Sequence, residues 1–326
     1  MKTNNPRLNF SLLTTTLASF TLLASLGVPF ARAQTCTAPP AGLVAWWSGD
    51  GNFLDLAGAN HGTGTTGVGF TAGKVGQAFG FDGVSGYVQV TNTAAVDFGA
   101  GDFTIEGWLN FNSLAGDQEI LHKVVGAVPN DRTYFLEFNA TNSLRFMVRQ
   151  SAGNQNDLTV TTSLMVGQWY HVAAVRSGNT NRLFLNGSPI GSQVAGNGAD
   201  TGQGGIVRIG NIAPNGIAGL TRFFKGMIDE LSLYNRALSA SEIAAIYAAD
   251  SAGKCQPLPT LAISLTTGSV LLSWPVSAEG FGLVSRTNLT AGAWESVTDE
   301  PSLNGDRKEV LLPANTPAQR FFRLAQ

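Results

Sequence analysis

The sequence predicts an all-β protein: a two-sheet antiparallel sandwich that ends in a short helix, followed by a smaller β unit. From Leu43 onward, short apolar segments alternate with turns rich in Gly, Asn and Asp, a pattern typical of strands and tight connections. The 326 residues include 39 glycines, which suit many turns rather than long helices. A clear change to helical spacing comes only after Asn235. Closely spaced strands with so little helix indicate a sandwich or barrel.

Segments of β-branched and aromatic residues mark the strands of the first unit. In order, they are LVAWW, AFGFD and YVQV around a turn at Asp82 and Gly83, DFTIEGWLNF, RTYFLEF and LRFMVRQ around a turn at 139–143, QWYHVAAV, RLFLNG, GIVRIG and GMIDELSLY. Asn186-Gly187 is the strongest short hairpin signal among the turns. No fixed repeat period is found, which argues against a propeller or solenoid.

The last segment of this unit passes from a strand directly into a helix. Alternate positions from Met227 to Leu233 predict the strand. Ser239, with Glu242 three residues later, fits a capping box at the start of a helix near 240–248. One apolar face of that helix consists of Ile243, Ile246 and Tyr247. Because so short a helix is marginal alone, we expect it to pack against the sheets.

Residues 1–33 have the pattern of a secretory signal peptide. Lys2 and Arg7 form a basic start, an apolar-rich run follows from Phe10 to Phe30, and Ala31-Arg32-Ala33 is a small-x-small cleavage sequence. An uncleaved membrane anchor is the alternative, which the polar residues in the run and the Ala-x-Ala ending disfavour. No other segment is long enough to span a bilayer. We therefore expect a secreted or cell-surface protein without a membrane span after cleavage.

The two cysteines bracket the first unit. In an oxidising compartment, Cys36 and Cys255 predict one disulfide that joins the ends of a domain, whereas two free thiols are the alternative. Two cysteines cannot form a zinc site unaided, and none of the three histidines has ligand spacing around it.

Several of these segments, taken in order, resemble the laminin-G-like, concanavalin A-like jelly-roll modules of secreted bacterial proteins. They are GLVAWW, GQAFGFDGVSGYVQV, FTIEGWLNF, GQWYHVAAVRSGNTNRLFLNG and GMIDELSLYNRALSASEI. The resemblance covers about 42–250 and implies a jelly roll whose closing strand returns beside the first, with the helix over an open edge or end. This fold carries lectins, adhesion modules and glycosidases alike, so the resemblance does not decide among these functions.

The remaining chain forms a second unit. The prolines of QPLPT suit a stiff linker, and the short strands that follow resemble a small fibronectin-like β module. Trp274 and Trp294 are expected to fill its core, with ligand stacking as the alternative. The predicted division is a signal peptide (1–33), a jelly-roll domain (42–250), a linker (251–259) and a small β module (260–326).

The sequence argues against several functional classes. The formal net charge is -2 without a block of like charges, which disfavours nucleic acid or an anionic membrane as the partner. The resemblance directs attention to the closely spaced Glu-x-Asp-x-x-Glu of glucanases, but that motif is missing. Asp229 and Glu230 are adjacent, so a regular strand would point them to opposite faces, and Glu106 stands alone. No catalytic residue is assigned.

Calcium is the cofactor that the sequence favours. Irregular loops rich in Asp, Asn and Gly supply the oxygen ligands of this hard cation. The candidate ligands are Asp50, Asn52, Asp55 and Asp229. The last of these would join the others if the closing and first strands pair, as the resemblance implies. The alternative is that Asp50 and Asp55 merely form Asx turns and that Asp229 bonds to backbone amides.

The candidate ligand-binding surface is the outward face of the LRFMVRQ strand. If Phe146 and its alternate neighbours face the core, the intervening side chains face out, with Phe135 alongside across the hairpin. The candidate residues are Glu137, Arg145, Met147 and Arg149. Arginine and carboxylate groups on a concave sheet can hydrogen-bond to a polar ligand, and an aromatic side chain can pack against it. An ordinary solvated strand face is the alternative.

The function that best fits these observations is a secreted, non-catalytic binding or adhesion module for carbohydrate or a cell-surface protein. The runner-up is a glycoside-active enzyme, or an accessory domain of one, that would use Glu106, Asp229 or Glu230. The third possibility is a purely structural cell-surface protein.

Overall fold

The computed structural model describes residues 36–91, 94–126, 132–151, 154–194, 200–202, 204–212, 221–278, 280–314 and 320–325. The predicted signal peptide at 1–33 lies outside these residues. None of the helices in the described part of the chain has the length and hydropathy needed to cross a bilayer.

Two antiparallel sheets form a sandwich, which confirms the predicted jelly-roll fold. Their strands in the described ranges are β1 (Leu43–Trp47), β2 (Gly62–Gly64), β3 (Val68–Ala72), β4 (Gln77–Asp82), β5 (Val88–Val90), β6 (Phe103–Phe111), β7 (Gln118–Val125), β8 (Arg132–Asn139), β9 (Ser143–Ser151), β10 (Asn154–Thr161), β11 (Trp169–Ser177), β12 (Thr180–Leu185), β13 (Ser188–Val194), β14 (Ile206–Ile209) and β15 (Lys225–Tyr234). The eight-stranded sheet has the order β13-β12-β11-β6-β15-β4-β3, with β1 paired to β15. The seven-stranded sheet has the order β10-β9-β8-β7-β14-β5-β2.

The main core lies between these sheets and follows from the alternation within each strand. On β9, Leu144, Phe146 and Val148 are buried in the core, so the side chains between them point away from it. Aromatic rings of the two sheets pack against each other: the ring centroids of Phe103 on β6 and Tyr134 on β8 are 4.8 Å apart. This core fixes the register of the strands, because a slip by one residue would turn every buried side chain outward.

The closing strand β15 returns beside the first strand, as the resemblance implied, with Trp47 opposite Leu231. A β-bulge interrupts its pairing with β6 between Asp229 and Ser232. Glu230, within the bulge, has a φ of 57°, an uncommon conformation for a side chain of this size. Gly107 lies on β6 at this point, where a Cβ atom would approach the Leu231 Cα to 3.2 Å. The bulge breaks the simple alternation expected from the sequence.

The predicted helix is present as α1 (Ala240–Ala248). Its capping box is complete: the Glu242 amide donates to Ser239 Oγ (3.3 Å), and the Ser239 amide donates to Glu242 Oε2 (2.9 Å). Ile243 and Ile246 are buried in a second hydrophobic cluster with side chains of β11, β12 and β15. The helix therefore covers the outward face of the eight-stranded sheet and contacts its edge strand β13. This burial provides the stability that the short helix lacks alone.

Cys36 and Cys255 form the predicted disulfide. A short parallel bridge beside it pairs Thr37 with Lys254. The Thr37 amide donates to the Gly253 carbonyl (2.9 Å), and the Cys255 amide donates to the Thr37 carbonyl (2.7 Å). The two ends of the jelly roll are thus held together by a covalent bond and by backbone hydrogen bonds.

A small β module follows, as predicted. Its strands are β16 (Ala262–Thr266), β17 (Ser269–Pro275), β18 (Gly282–Arg286), β19 (Glu295–Ser296), β20 (Ser302–Asn304), β21 (Arg307–Pro313) and β22 (Phe321–Ala325). They form a four-stranded sheet, β16-β17-β21-β20, and a three-stranded sheet, β19-β18-β22. Trp274 is buried in the core between them, as expected. Trp294 is not in that core: it is half-buried, and the centroid of its ring lies 4.9 Å from the guanidinium carbon of Arg286 and 4.4 Å from that of Arg323.

Candidate functional site

The four residues predicted to bind a ligand lie together on the outward face of the seven-stranded sheet. Cross-strand pairing places Glu137 of β8 opposite Arg145 of β9, and Phe135 opposite Met147. Arg149 continues the same face along β9, since it alternates with the buried Val148. The sequence therefore identified which side chains share this face.

Arg145 is the centre of a hydrogen-bonded carboxylate network. Its Nη1 donates to Glu137 Oε1 (2.9 Å), and its Nε donates to Asp157 Oδ1 (2.8 Å). Its Nη2 donates to the second Asp157 oxygen (2.5 Å), which makes the contact bidentate. These hydrogen bonds to Asp157 raise the pKa of Arg145 above its usual range. The guanidinium is thus held in one orientation, while 26% of the side chain remains exposed.

Arg222, just before β15, is a second cation at this site. Its Nη1 donates to Glu137 Oε2, so the Glu137 carboxylate, which is 1% exposed, is clamped between two arginines. Its Nη2 lies 3.6 Å from Asp117 Oδ2. No periodicity in the sequence connects Arg222 to β8, because the contact joins residues that are far apart in the chain. Sequence reasoning missed both Arg222 and Asp157.

Glu119 of β7 is a second carboxyl group in this network, beside Glu137. It lies opposite Glu137 in the strand pairing and is fully buried. Burial and the negative charge of Glu137 raise the pKa of Glu119 well above its usual range, and the more distant Arg222 does not offset them. This shift favours the protonated form of Glu119, which reduces the repulsion between the two carboxyl groups.

Phe135 and Met147 form the floor of the site. Both are buried, at 5% exposure each, although their strands direct them away from the main core. The Arg145 guanidinium lies over the Phe135 ring, 5.1 Å from its centroid. The aromatic side chain therefore supports the arginine from below instead of offering a free stacking surface.

The face continues across β7 and β14 towards β5. His122 Nε2 lies 2.9 Å from Thr133 Oγ1, and burial, with the charges of Arg222 and Arg208, lowers its pKa to about 3. This histidine is therefore neutral at physiological pH. Arg208 lies over the Tyr87 ring, 4.0 Å from its centroid, and its Nε donates to Gln89 Oε1 (3.2 Å). The outward face is thus a continuous row of oriented polar groups.

Two of the four predicted calcium ligands are occupied in loop hydrogen bonds. Asp55 accepts from the amides of Trp46 (2.8 Å), Ala57 (2.9 Å) and Asn60 (3.1 Å), and from the Asn60 side chain (2.7 Å). Asn52 Oδ1 accepts from the Leu54 amide (2.9 Å). The contacts of Asp55 fit the alternative in which this side chain forms a turn, and the Asn52 contact is of the same kind. Asp55 in particular has no oxygen left for a cation without losing several of these bonds.

The other two predicted ligands, Asp50 and Asp229, hold one turn between β3 and β4. Asp229 Oδ2 accepts from the amides of Lys74 (2.7 Å) and Val75 (2.9 Å), and Asp50 Oδ1 accepts from the Gln77 amide (2.8 Å). Asp229 Oδ1 is buried and has no hydrogen-bond partner among the described residues. The same residues contain no group of three or more His, Cys, Asp or Glu side chains placed to hold a metal ion. Calcium stays a prediction, and it now depends on Asp50 and Asp229.

Asp229 predicts a pH dependence of stability. Burial, and then the charge of Glu230, raise its pKa from 3.8 to about 8. The folded chain binds this proton more tightly than the unfolded chain, so the stabilisation is full below pH 3.8 and is lost as the pH rises towards 8. Asp229→Asn should remove this loss and make the protein more stable than wild type at pH 8, by on the order of 1 kcal/mol or more.

Urea unfolding at pH 5 and pH 8 in calcium-free buffer measures this effect. Asp299→Asn, which changes an exposed carboxyl group in the small module, serves as the matched control and should follow wild type. Parallel pH profiles for wild type and Asp229→Asn would contradict the account. Calcium bound at this turn would raise the wild-type melting temperature at pH 8 and leave that of Asp229→Asn unchanged.

The carboxylates considered for hydrolysis lie on the opposite side of the molecule, on the outward face of the eight-stranded sheet. Lys254 Nζ lies 3.1 Å from Glu106 Oε1 and 3.2 Å from Glu230 Oε2. Glu106 Oε2 lies 3.0 Å from His171 Nε2. The expectation that Asp229 and Glu230 face opposite sides is wrong, because the bulge turns both towards this outward side and the charge of Glu230 reaches Asp229. All of these acids are buried, at no more than 2% exposure.

Comparison with known proteins places this architecture in context. No curated protein sequence matches the chain significantly. The family model Laminin_G_3, described as the concanavalin A-like lectin/glucanases superfamily, matches residues 82–244.

Similar solved structures have low sequence identity, and the first of the three below shares the fold at a TM-score above 0.5. The binding domain of Paraclostridial Mosquitocidal Protein 1 has a TM-score of 0.53 at 14% identity, covering 87% of this chain and 75% of that one. Domain 4 of AbnA, a GH43 extracellular arabinanase from Geobacillus stearothermophilus solved with arabinotriose, has a TM-score of 0.49 at 18% identity, covering 62% and 96%. The Ruminococcus gnavus IT-sialidase CBM40 has a TM-score of 0.46 at 19% identity, covering 52% and 96%. At such identities the likeness concerns the fold alone.

Proposed function

The chain belongs to the concanavalin A-like lectin/glucanase superfamily, and on this premise we propose that it is a secreted, non-catalytic module that binds carbohydrate, in solution or at a cell surface. The binding surface is the outward face of β8, β9 and β10. The small β module at 260–326 follows the jelly-roll domain, whose closing segment extends to Cys255.

One observation carries this proposal: the Glu137 carboxylate is buried between Arg145 and Arg222, both of which remain partly exposed, at 26% and 20%. Sugar hydroxyls are recognised by polar groups with fixed directions, because each group that must be ordered on binding reduces the affinity. The network around Glu137 orders these arginines before a ligand arrives. An ordinary solvated strand face would leave the same side chains mobile.

The placement of the other acidic residues supports a binding role over hydrolysis. Glu106 and Glu230 are engaged by Lys254 in a buried network, where water and a glycosidic bond have no access. Retaining hydrolysis needs two carboxyl groups that both reach the substrate. Glu119 and Glu137 face each other on the candidate surface but are also buried, at 0% and 1% exposure.

Export is supported by the Cys36–Cys255 disulfide, since such bonds persist in oxidising compartments. A protein secreted or displayed at the surface would meet glycans as free polymers or on neighbouring cells.

A glycan array with the mature chain, run with and without calcium, tests the proposal. We expect retention of at least one class of oligosaccharide, with no release of reducing sugar from the bound glycan. Release of reducing sugar would favour the enzyme. The absence of any glycan signal, together with retention of a cell-surface protein, would replace carbohydrate by a protein partner.

A further inference from the structure

The three-stranded sheet of the small module carries arginines without carboxylate partners. Arg286 ends β18, Arg323 lies within β22, and Arg320 comes directly before β22. None of the ion pairs between described residues includes any of them. The arginines of the candidate sugar-binding face differ, since Arg145 and Arg222 each contact carboxylates. These arginines therefore form a local group of cations outside the ion pairs of the described residues, with Glu295 as a neighbour in the cavity beside Arg286 and Arg320.

Arg286 and Arg323 stack against the same indole. Strand pairing places Val284 opposite Arg323 and Leu283 opposite Leu324. Because the two leucines belong to the module core, the arginines lie on the outward side. The guanidinium carbons lie 4.9 Å (Arg286) and 4.4 Å (Arg323) from the centroid of the Trp294 ring. A stacked guanidinium keeps its in-plane N–H groups free, so both cations are fixed and can still donate.

The hydrogen bonds of Arg286 are incomplete. Its Nη1 donates to the Gly292 carbonyl (3.4 Å), whereas its Nε is buried and has no partner among the described residues. An unsatisfied donor on a charged group is unfavourable, and an anion that accepts this hydrogen bond would remove the penalty. Arg286 and Arg323 are also like charges on one indole, so an anion that contacts their guanidinium groups would reduce the repulsion between them.

A polar cavity of about 310 Å³ opens beside Arg286. Arg320 lines it and is fixed by Ser285, whose Oγ accepts from Nε (3.1 Å) and Nη2 (2.9 Å). Thr287 and Glu295 lie in the same wall. Hydroxyl, guanidinium and carboxylate groups together suit a ligand that has several hydroxyls.

We propose that this surface is a second binding site, which takes an acidic sugar residue of a polysaccharide. The carboxylate or sulfate ester of the sugar lies on Arg286 and Arg323, and its hydroxyls enter the cavity beside Arg320. Glu295 accepts hydrogen bonds from hydroxyls there and repels a dense polyanion such as nucleic acid. The Trp294 ring is occupied by arginines and therefore does not stack on bases. This site is separate from the sheet face of the jelly roll and takes a ligand of a different charge.

Binding of the full mature chain to polygalacturonate, dextran sulfate and neutral dextran tests this proposal by affinity electrophoresis. We expect binding to at least one acidic polymer and little to dextran; the two acidic arms separate carboxylate from sulfate. Arg286→Gln/Arg323→Gln should weaken binding to that polymer about tenfold or more, because charge-assisted hydrogen bonds are lost. Lys225→Gln/Lys308→Gln removes the same charge elsewhere and should stay within about threefold of wild type.

Equal losses in the two double variants would overturn the proposal, because general charge attraction would then explain the binding. A lowered melting temperature of Arg286→Gln/Arg323→Gln with unchanged polymer binding would also overturn it and leave the stack a structural feature. Glu295→Gln should strengthen binding of the acidic polymer. Because Arg145→Gln affects only the jelly-roll face, its retention of acidic-polymer binding separates this site from the proposed carbohydrate site.

Discussion

Replacing Lys254 by methionine is expected to lower the free energy of unfolding by about 3–5 kcal/mol, because it leaves buried acids without their cation. Lys254 is 4% exposed, and its ammonium contacts Glu106, Glu230 and the Glu230 carbonyl. Burial alone would lower the pKa of Lys254, but Glu106 and Glu230 raise it above its usual range. The lysine is therefore charged in the folded protein, and its removal leaves charge uncompensated.

Lys74→Met is the matched control for this experiment. Lys74 pairs with Asp250, whose side chain is 50% exposed, so this ion pair should contribute no more than about 1 kcal/mol. Urea unfolding of both variants measures the difference. Adding Glu106→Gln and Glu230→Gln to Lys254→Met should restore part of the lost stability, since the uncompensated charges disappear. A loss below about 1 kcal/mol for Lys254→Met would contradict a charged, paired lysine at this position.

Removal of the Cys36–Cys255 disulfide is expected to have an effect of similar size. The cysteines are 219 residues apart, for which the loop-entropy model gives about 5 kcal/mol, less any effect of structure in the unfolded chain. Cys36→Ser/Cys255→Ser should therefore lose about 2–5 kcal/mol in urea unfolding, and reduction of wild type should reproduce the loss. Wild-type protein that unfolds at the same urea concentration with and without reductant would contradict this expectation.

The two effects should be coupled, since Lys254 directly precedes Cys255. Opening the disulfide releases the segment that places the Lys254 ammonium beside the buried Glu106 and Glu230. The combined variant is expected to lose less than the sum of the separate losses, and a double-mutant cycle measures the difference.

Where one face of a strand packs into the core, the alternation of apolar and polar residues was sufficient to predict which side chains face outward. On β9, the burial of Leu144, Phe146 and Val148 determines where Arg145 and its neighbours point, so the candidate face could be predicted. The disulfide could be predicted as well, because the chain has two cysteines, they bracket one domain, and an oxidising compartment favours their pairing.

On β15, the alternation of residues gave a wrong prediction of side-chain direction, because the bulge inserts one extra residue. Glu230 takes a positive φ without being glycine, so its own identity gives no sign of the bulge. Gly107 on the partner strand β6 leaves room for the bulge, because a side chain there would approach Leu231. This role could not be predicted, because the sequence does not specify that β6 pairs with β15. Arg222 was missed for the same reason, because its contact with Glu137 joins positions that only the sheet order brings together.

Trp294 was misplaced because an aromatic residue beside a strand usually packs inward. Here arginines on neighbouring strands cover the indole on the outward side, so its apolar surface is shielded without entering the core. Cross-strand pairs of this kind depend on register, which short strands such as β19 specify weakly.

The most direct test of the central claim is calorimetric titration of Arg145→Gln and Arg182→Gln with the oligosaccharide that the array identifies. Arg182 lies on β12 of the other sheet, so both variants lose one charge but only one alters the proposed surface. At a temperature where both variants are folded by circular dichroism, Arg145→Gln should weaken binding about tenfold or more, and Arg182→Gln should stay within about twofold. Unchanged affinity for Arg145→Gln would contradict carbohydrate binding on the outward face of β8, β9 and β10.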